Sequence, residues 1–346
     1  MKLTKELVLD FASGNSKFKT SGLVAFLRHW VSRQYTSFFL NELVKAGDLV
    51  REGAASATFY ALPENLHVLG TGVRKRYKNN ELKEHEVLEE LHNIFPSLFT
   101  VPENVRSIFD YAFSEMLNNA IEHSESKSIT IDARKTSDNL SFEVNDTGIG
   151  VFNSVMQKRS LKTPLEAIQD LLKGKTTTQP KSHSGEGIFF TSKAGDVFVL
   201  ESGNTRLRVD NDIKDVFVEE FKPSKKGTKV SFTVGVASRR HLNDVFKKYQ
   251  TDPENPDFDK TEVLIKLFTM GTIYVSRSQA RRVLTGLDKF KTIILDFDQV
   301  PTIGQAFADE VFRVFQQKHP EILISPVNMN GAVKFMVERV EKPSKL

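Results

Sequence analysis

Residues Phe142-Glu143-Val144-Asn145-Asp146-Thr147-Gly148-Ile149-Gly150 run along a strand, end it in a carboxylate, and turn on a Gly-x-Gly. Glycine lets a backbone approach a ligand closely or adopt positive φ. A carboxylate at such a turn can accept a hydrogen bond from an exocyclic amine. Too few further oxygen ligands lie nearby for a calcium loop. Three other pieces accompany this one in the chain. Upstream, Phe113-Ser114-Glu115-Met116-Leu117-Asn118-Asn119-Ala120-Ile121-Glu122-His123 has apolar residues at helical spacing. Glu115, Asn119 and His123, four apart, share another face of that helix. Downstream, His183-Ser184-Gly185-Glu186-Gly187-Ile188-Phe189-Phe190 places Gly-x-Gly at a helix start, where free N–H groups suit phosphate oxygens. The polar stretch 174–182 before it reads as a mobile lid. Last, Lys226-Gly227-Thr228-Lys229-Val230-Ser231-Phe232 reads as a turn into a strand.

These four pieces, in this order, resemble the N, G1, G2 and G3 boxes of the GHKL superfamily, the Bergerat-fold ATP-binding proteins that include gyrase B, histidine kinases and anti-sigma factor kinases. The Glu-x-x-x-Asn-Ala-x-x-His form of the first box is closest to the anti-sigma kinases. The resemblance spans roughly 130 residues. It implies two cofactors, ATP and Mg²⁺. Asp146 would accept the adenine amino group, with Thr228 supporting it through water. Asn119 would ligate Mg²⁺. Gly148 and Gly150 would shape the lid base, and Gly185, Glu186 and Gly187 would offer N–H groups to the phosphates. Glu115 would act as general base. Histidine kinases typically carry Asn there, which argues against that activity. Lys175, Lys181 and Lys193 are candidates for a phosphate-neutralising lysine.

Beyond residue 236 strand and helix alternate: 272–275, 278–284, 292–297, 304–318, 322–324 and a helix from Gly331, an α/β layer pattern. The segment Ile294 to Glu310 resembles STAS domains, the fold of anti-anti-sigma factors, and more closely the STAS-like domain of unknown function found behind such ATPases. Anti-anti-sigma factors carry a phosphorylatable Ser here. This chain has Thr302, Gly304 and Gln305 instead, which favours a docking or dimerisation role. Asp309 and Glu310 read as a solvated face.

Residues 1–70 read as three helices and a hairpin. Thr20-Ser21 and Ser32 are candidate helix caps, and Gly47 is a stop. Leu49 to Glu52 and Thr58 to Leu62 form the hairpin, turning at 53–56. This order resembles a winged helix-turn-helix. Residues 31–47 would be the recognition helix, with Arg33, Gln34, Tyr35 and Ser37 toward DNA and Arg51 in the wing. Residues 71–95 read as a linker with the basic run Arg74-Lys75-Arg76-Tyr77-Lys78 and a helix from Asn80 to Phe95. His85-Glu86 lacks the rest of a phosphoacceptor motif and reads as surface.

The expected fold class is therefore α/β (α+β) and multidomain: a winged helix (1–70), a linker helix (71–95), a Bergerat α/β sandwich (96–236) and a STAS-like α/β domain (237–346). With 39% hydrophobic and 27% charged residues the composition is that of globular domains. No apolar run is long enough to span a membrane, and the first residues lack a signal peptide's pattern. The absence of cysteine excludes disulfides, zinc thiolates and cysteine nucleophiles. The expectation is a cytoplasmic protein, a homodimer with DNA as partner and a protein partner for the STAS-like domain. The leading reading is an ATP-binding, slowly hydrolysing DNA-binding regulator. The alternatives are an anti-sigma-type Ser/Thr protein kinase and an ATP-gated dimeric clamp.

Overall fold

The structure is a computed structural model. It describes residues 3–28, 30–52, 58–63, 65, 72–175, 185–252, 254, 257–268 and 276–341. The chain divides into two compact units, Met1–Ser154 with Thr191–His241, and Val155–Phe190 with Leu242–Leu346. The mixed α/β, multidomain class expected from the sequence is the class observed.

The first unit begins with helices α1 (Lys5–Ser13), α2 (Thr20–Phe26) and α3 (Arg33–Lys45). Each boundary has a local cause. Thr4 caps α1 through the Leu7 N–H, and Ser32 caps α3 through the Tyr35 N–H at 3.2 Å. Gly47, at φ +78°, ends α3: its N–H reaches Val44 O, and the Asp48 N–H reaches Leu43 O. Helix α2 differs from expectation, because Thr20 is its first residue and its N-cap, Lys19, makes no side-chain bond. Strands β1 (Val50–Glu52) and β2 (Phe59–Ala61) pair antiparallel, and Phe18 and Tyr60 exchange both backbone bonds. Leu3, Val8, Leu23, Leu40, Leu49 and Tyr60 belong to the core beneath. The expected hairpin turn, 53–56, lies outside the described residues.

The basic run read as linker is strand β3 (Gly72–Lys78), at the edge of a five-stranded antiparallel sheet ordered β3-β4-β5-β7-β6. Its alternation was hidden by charge. Arg74, Arg76 and Lys78 point to solvent, while Lys75 and Tyr77 turn inward and both bond Glu90. A charged edge strand also discourages pairing with other chains. Glu90 sits on α4 (Glu84–Ile94), which leads through a 3₁₀ turn (Pro96–Thr100) to α5 (Glu103–His123). Strands β4 (Ser128–Lys135), β5 (Asn139–Asp146), β6 (Val197–Asp210) and β7 (Asp215–Gly235) complete the sheet. Helix α5 packs against β5 and β7 through Phe109, Phe113, Phe142 and Phe232, with ring centroids 5.2 to 6.0 Å apart. The pairing of β6 with β7 shifts register near Gly203.

The second unit holds α7 (Pro164–Lys173) and a parallel sheet ordered β10-β9-β8. Helix α6 (Val151–Arg159) precedes α7, and α8 (Gly187–Ala194) follows it. After α9 (Leu242–Lys248) come β8 (Lys260–Leu264), α10 (Arg277–Leu284), β9 (Thr292–Asp296), β10 (Leu323–Val327) and α13 (Gly331–Glu341). Between β9 and β10 one helical run comprises α11 (Gln305–Ala308), a π-helical segment (Asp309–Phe315) and α12 (Gln316–Lys318). Strand β8 was not read from the sequence, and the expected strand 272–275 lies outside the described residues.

Residues 155–190, read from the sequence as part of the ATPase domain, pack with the C-terminal segment in this unit. Gln169 donates to Leu267 O, Thr261 to Lys173 O, and the buried Lys173 ammonium to Arg282 O and Thr285 O. Burial pushes the Lys173 pKa down to about 8. Further, Glu310 is not on a solvated face. It is 5% exposed and accepts from Arg281 Nε at 2.7 Å, while Asp309 pairs with Arg277 and Arg313.

Candidate functional site

Along β5, Leu140, Phe142, Val144 and Asp146 all face inward and are buried. The fourth member of an apolar row is thus a carboxylate, 3% exposed. Burying a charge is costly without compensating donors. Here the donors are backbone: Asp146 Oδ1 accepts the Gly148 N–H at 2.8 Å and the Thr228 N–H at 3.2 Å. The described residues give Oδ2 no hydrogen-bond partner. Burial raises the Asp146 pKa, against the pull of those two bonds, the Lys225 charge and the Thr228 side chain.

The turn that follows is built on contacts only glycine permits. A Cβ at Gly148 would lie 1.7 Å from Ser124 O, the atom that accepts the Ile149 N–H at 2.8 Å. The end of α5 and the turn after β5 therefore meet at Ser124. Gly150 has φ +84°, and a Cβ there would lie 2.4 Å from Ser202 Oγ. Thr228 Oγ1 accepts the Val151 N–H at 2.9 Å. The fourth sequence piece lies within β7, where Gly227 at φ +76° brings its backbone against Asp146; a Cβ would sit 2.4 Å from Asp146 O. Gly227, Ser124 and Ser202 were not among the expected site residues. Gly227 was legible as a glycine before Thr228, whereas the two serines carry no signal without the fold.

Asp146, Gly148, Gly150 and Thr228 thus come together in the first unit. Glu115 and Asn119, both half-buried, sit on α5, whose end forms one wall of that turn. Gly185, Glu186 and Gly187 belong to the second unit. There Gly185 has φ +75°, Glu186 O accepts the Phe190 N–H, and Gly187 opens α8. Of the expected lid, 174–182, residues 176–182 lie outside the described residues, Lys181 among them. Lys175 is engaged in its own unit, donating to Lys289 O at 3.2 Å and lying over Phe290, and burial lowers its pKa. Lys193 is half-buried on α8.

Among the DNA-directed candidates, Arg33, Gln34 and Tyr35 are exposed on the first turn of α3, and Ser37 is half-buried. Arg51 is tied back to α3, its Nη1 donating to Asn41 Oδ1 at 2.7 Å.

The donor set fits an adenine nucleotide. A buried carboxylate with one uncommitted oxygen suits an exocyclic amine. No cluster of three His, Cys, Asp or Glu able to hold a metal occurs among the described residues. Among the described residues no helix is long and apolar enough to cross a membrane.

Residues 80–210 match the family model of the histidine kinase-like ATPase domain, and residues 279–334 match that of a STAS-like domain of unknown function. No curated protein matches the chain. The chain contains an ATP-binding domain of the histidine kinase-like type, followed by a STAS-like domain.

Proposed function

We propose that the chain is a Mg-ATP-dependent DNA-binding regulator whose nucleotide state sets domain arrangement or partner binding, acting as a cytoplasmic homodimer. The observation that carries the nucleotide site is Asp146, a carboxylate set into a core-facing strand position with Oδ1 fixed by two backbone N–H groups. Oδ2 is then the acceptor for the adenine amine, supported by Thr228 through water. Gly148 and Gly150 shape the turn, and Asn119 is the Mg²⁺ ligand. Glu115 orients the attacking water as general base. The N–H groups at Gly185, Glu186 and Gly187 suit phosphate oxygens. Supplying Mg²⁺ shields the phosphate charge.

The DNA reading is supported by three helices, a hairpin, and the extra bridge between Phe18 and Tyr60, an arrangement that suits a winged helix. Arg33, Gln34, Tyr35 and Ser37 then face DNA, and Arg51 braces the wing. ATP shifts the equilibrium only by binding one arrangement better than the other. The test is Mg-ATP binding and phosphate release by wild type and Glu115→Ala. Binding without turnover in the variant supports Glu115 as base. A wild type that binds ATP and releases no phosphate removes the hydrolytic step.

A second reading, an anti-sigma-type Ser/Thr kinase, is favoured by the succession of a kinase-like ATPase domain and a STAS-like domain. Thr302, half-buried before α11, is the internal candidate acceptor. Incubation with γ-labelled ATP that releases free phosphate and labels no protein rules this out.

A further inference from the structure

We propose that the exposed rings Phe26 and Trp30, together with Tyr35 and Phe38 on the first half of α3, form a platform for unpaired nucleic-acid bases. This deepens the DNA-binding reading above and rests on it. Nine large hydrophobic side chains are exposed among the described residues, and four of them fall between residues 26 and 38: Phe26, Trp30, Tyr35 and Phe38, at 49%, 59%, 46% and 61%. Single exposed rings need no explanation, but such a concentration marks a contact surface. Tyr35 and Phe38, three apart on α3, share one helix face. Tyr35 is backed by Phe39, with centroids 6.4 Å apart and planes at 30°, so its ring is supported as a surface for stacking.

Charge selects the occupant. Residues 11–41 contain no Asp or Glu; Arg28 and Arg33 lie next to Trp30 and Tyr35 in the chain, while Lys17 and Lys19 lie over Phe59. The first acidic residue after them, Glu42, is bonded to Lys45 at 2.9 Å. A second copy docked by two-fold symmetry would set this cationic face against itself. An anionic partner is required, and one with flat faces matches the rings. Bases in a duplex are already stacked and offer only their edges, so rings gain little there. Unpaired bases offer both faces, and the arginines beside the rings in sequence, Arg28 and Arg33, suit the phosphates.

Trp30 is the chain's single tryptophan, so its fluorescence reports on this face alone. The experiment titrates the full chain with a short oligothymidylate and with a duplex of the same length. The expected result is quenching of Trp30 by the single strand, weakened by salt. Phe38→Ala lowers single-strand affinity by about tenfold in the same quenching titration, and Trp30→Ala does so in the fluorescence anisotropy of a dye-labelled oligothymidylate. Both side chains are exposed, so the variants fold, which an unchanged Mg-ATP affinity verifies. Tighter binding to duplex without quenching overturns the platform and leaves the DNA reading standing. Binding to neither overturns both. Self-association abolished by Phe38→Glu, with no response to oligothymidylate, assigns the face to a second copy and overturns the proposal.

Discussion

The turn after β5 and the face between α10 and the π-helical segment each bury a carboxylate, and the two are held in opposite ways. Glu310 is matched inside its own unit by Arg281 and, at 4.0 Å, Arg277. Asp146 is matched by two backbone N–H groups on one oxygen, with the other oxygen uncommitted. A buried acid neutralised by side-chain cations is a tie within the fold. One held by fixed dipoles, with its pKa raised by burial, keeps an acceptor for something outside the chain. Exposure is nearly the same at the two sites; the partners differ.

The contrast can be tested from its largest consequence down. Gly148→Ala drives a Cβ against Ser124 O, with a cost of about 3 kcal/mol, so both the melting temperature and Mg-ATP binding should fall. Gly331→Ala, with nothing within 4 Å, should do neither. Next, Asp146→Asn keeps Oδ1 for the Gly148 and Thr228 N–H groups but turns the second acceptor into a donor. Mg-ATP affinity should drop on the order of 100-fold while the unliganded protein melts no lower. Glu310→Gln should show the converse, a lower melting temperature at unchanged nucleotide affinity. Equal nucleotide losses from both variants would erase the distinction.

Lys173 offers a third buried charge, held by two carbonyls. Lys173→Met should cost about 2 kcal/mol by thermal melt. Its folded pKa, about 8, lies below the ordinary lysine value. Wild-type stability should therefore rise, relative to the variant, as pH climbs from about 8 toward 10.5. The smallest effect is the pH response of Asp146 itself. Its folded pKa lies above the unfolded one, so its ionisation costs stability. Relative to Asp146→Asn, the unliganded wild type should gain stability as pH falls from the raised pKa to the ordinary carboxyl value. Mg-ATP affinity should weaken over the same window, since a protonated carboxyl no longer offers two acceptors.

Much of the local geometry of the candidate site was legible because its features are local. A carboxylate closing a strand, the Gly-x-Gly turn and the polar face of a helix each leave a mark within a few residues. The same holds for the Ser32 cap and the Gly47 stop. What escaped depends on partners far along the chain. Strand β3 read as a linker because the inward Lys75 is answered by Glu90, which the run itself does not contain. Glu310 read as solvated because Arg281 lies 29 residues away in sequence. The grouping of residues 155–190 with the C-terminal segment rests on bonds such as Gln169 to Leu267, spanning 98 residues.

The central claim, that Asp146 Oδ2 reads an adenine amine, is tested most directly by base preference. Wild type and Asp146→Asn would be titrated calorimetrically with the Mg complexes of ATP and inosine triphosphate, which carries a carbonyl where adenine has its amine. The account predicts that wild type favours ATP and that the variant, presenting a donor, shifts toward inosine triphosphate. An unchanged preference in the variant would contradict it.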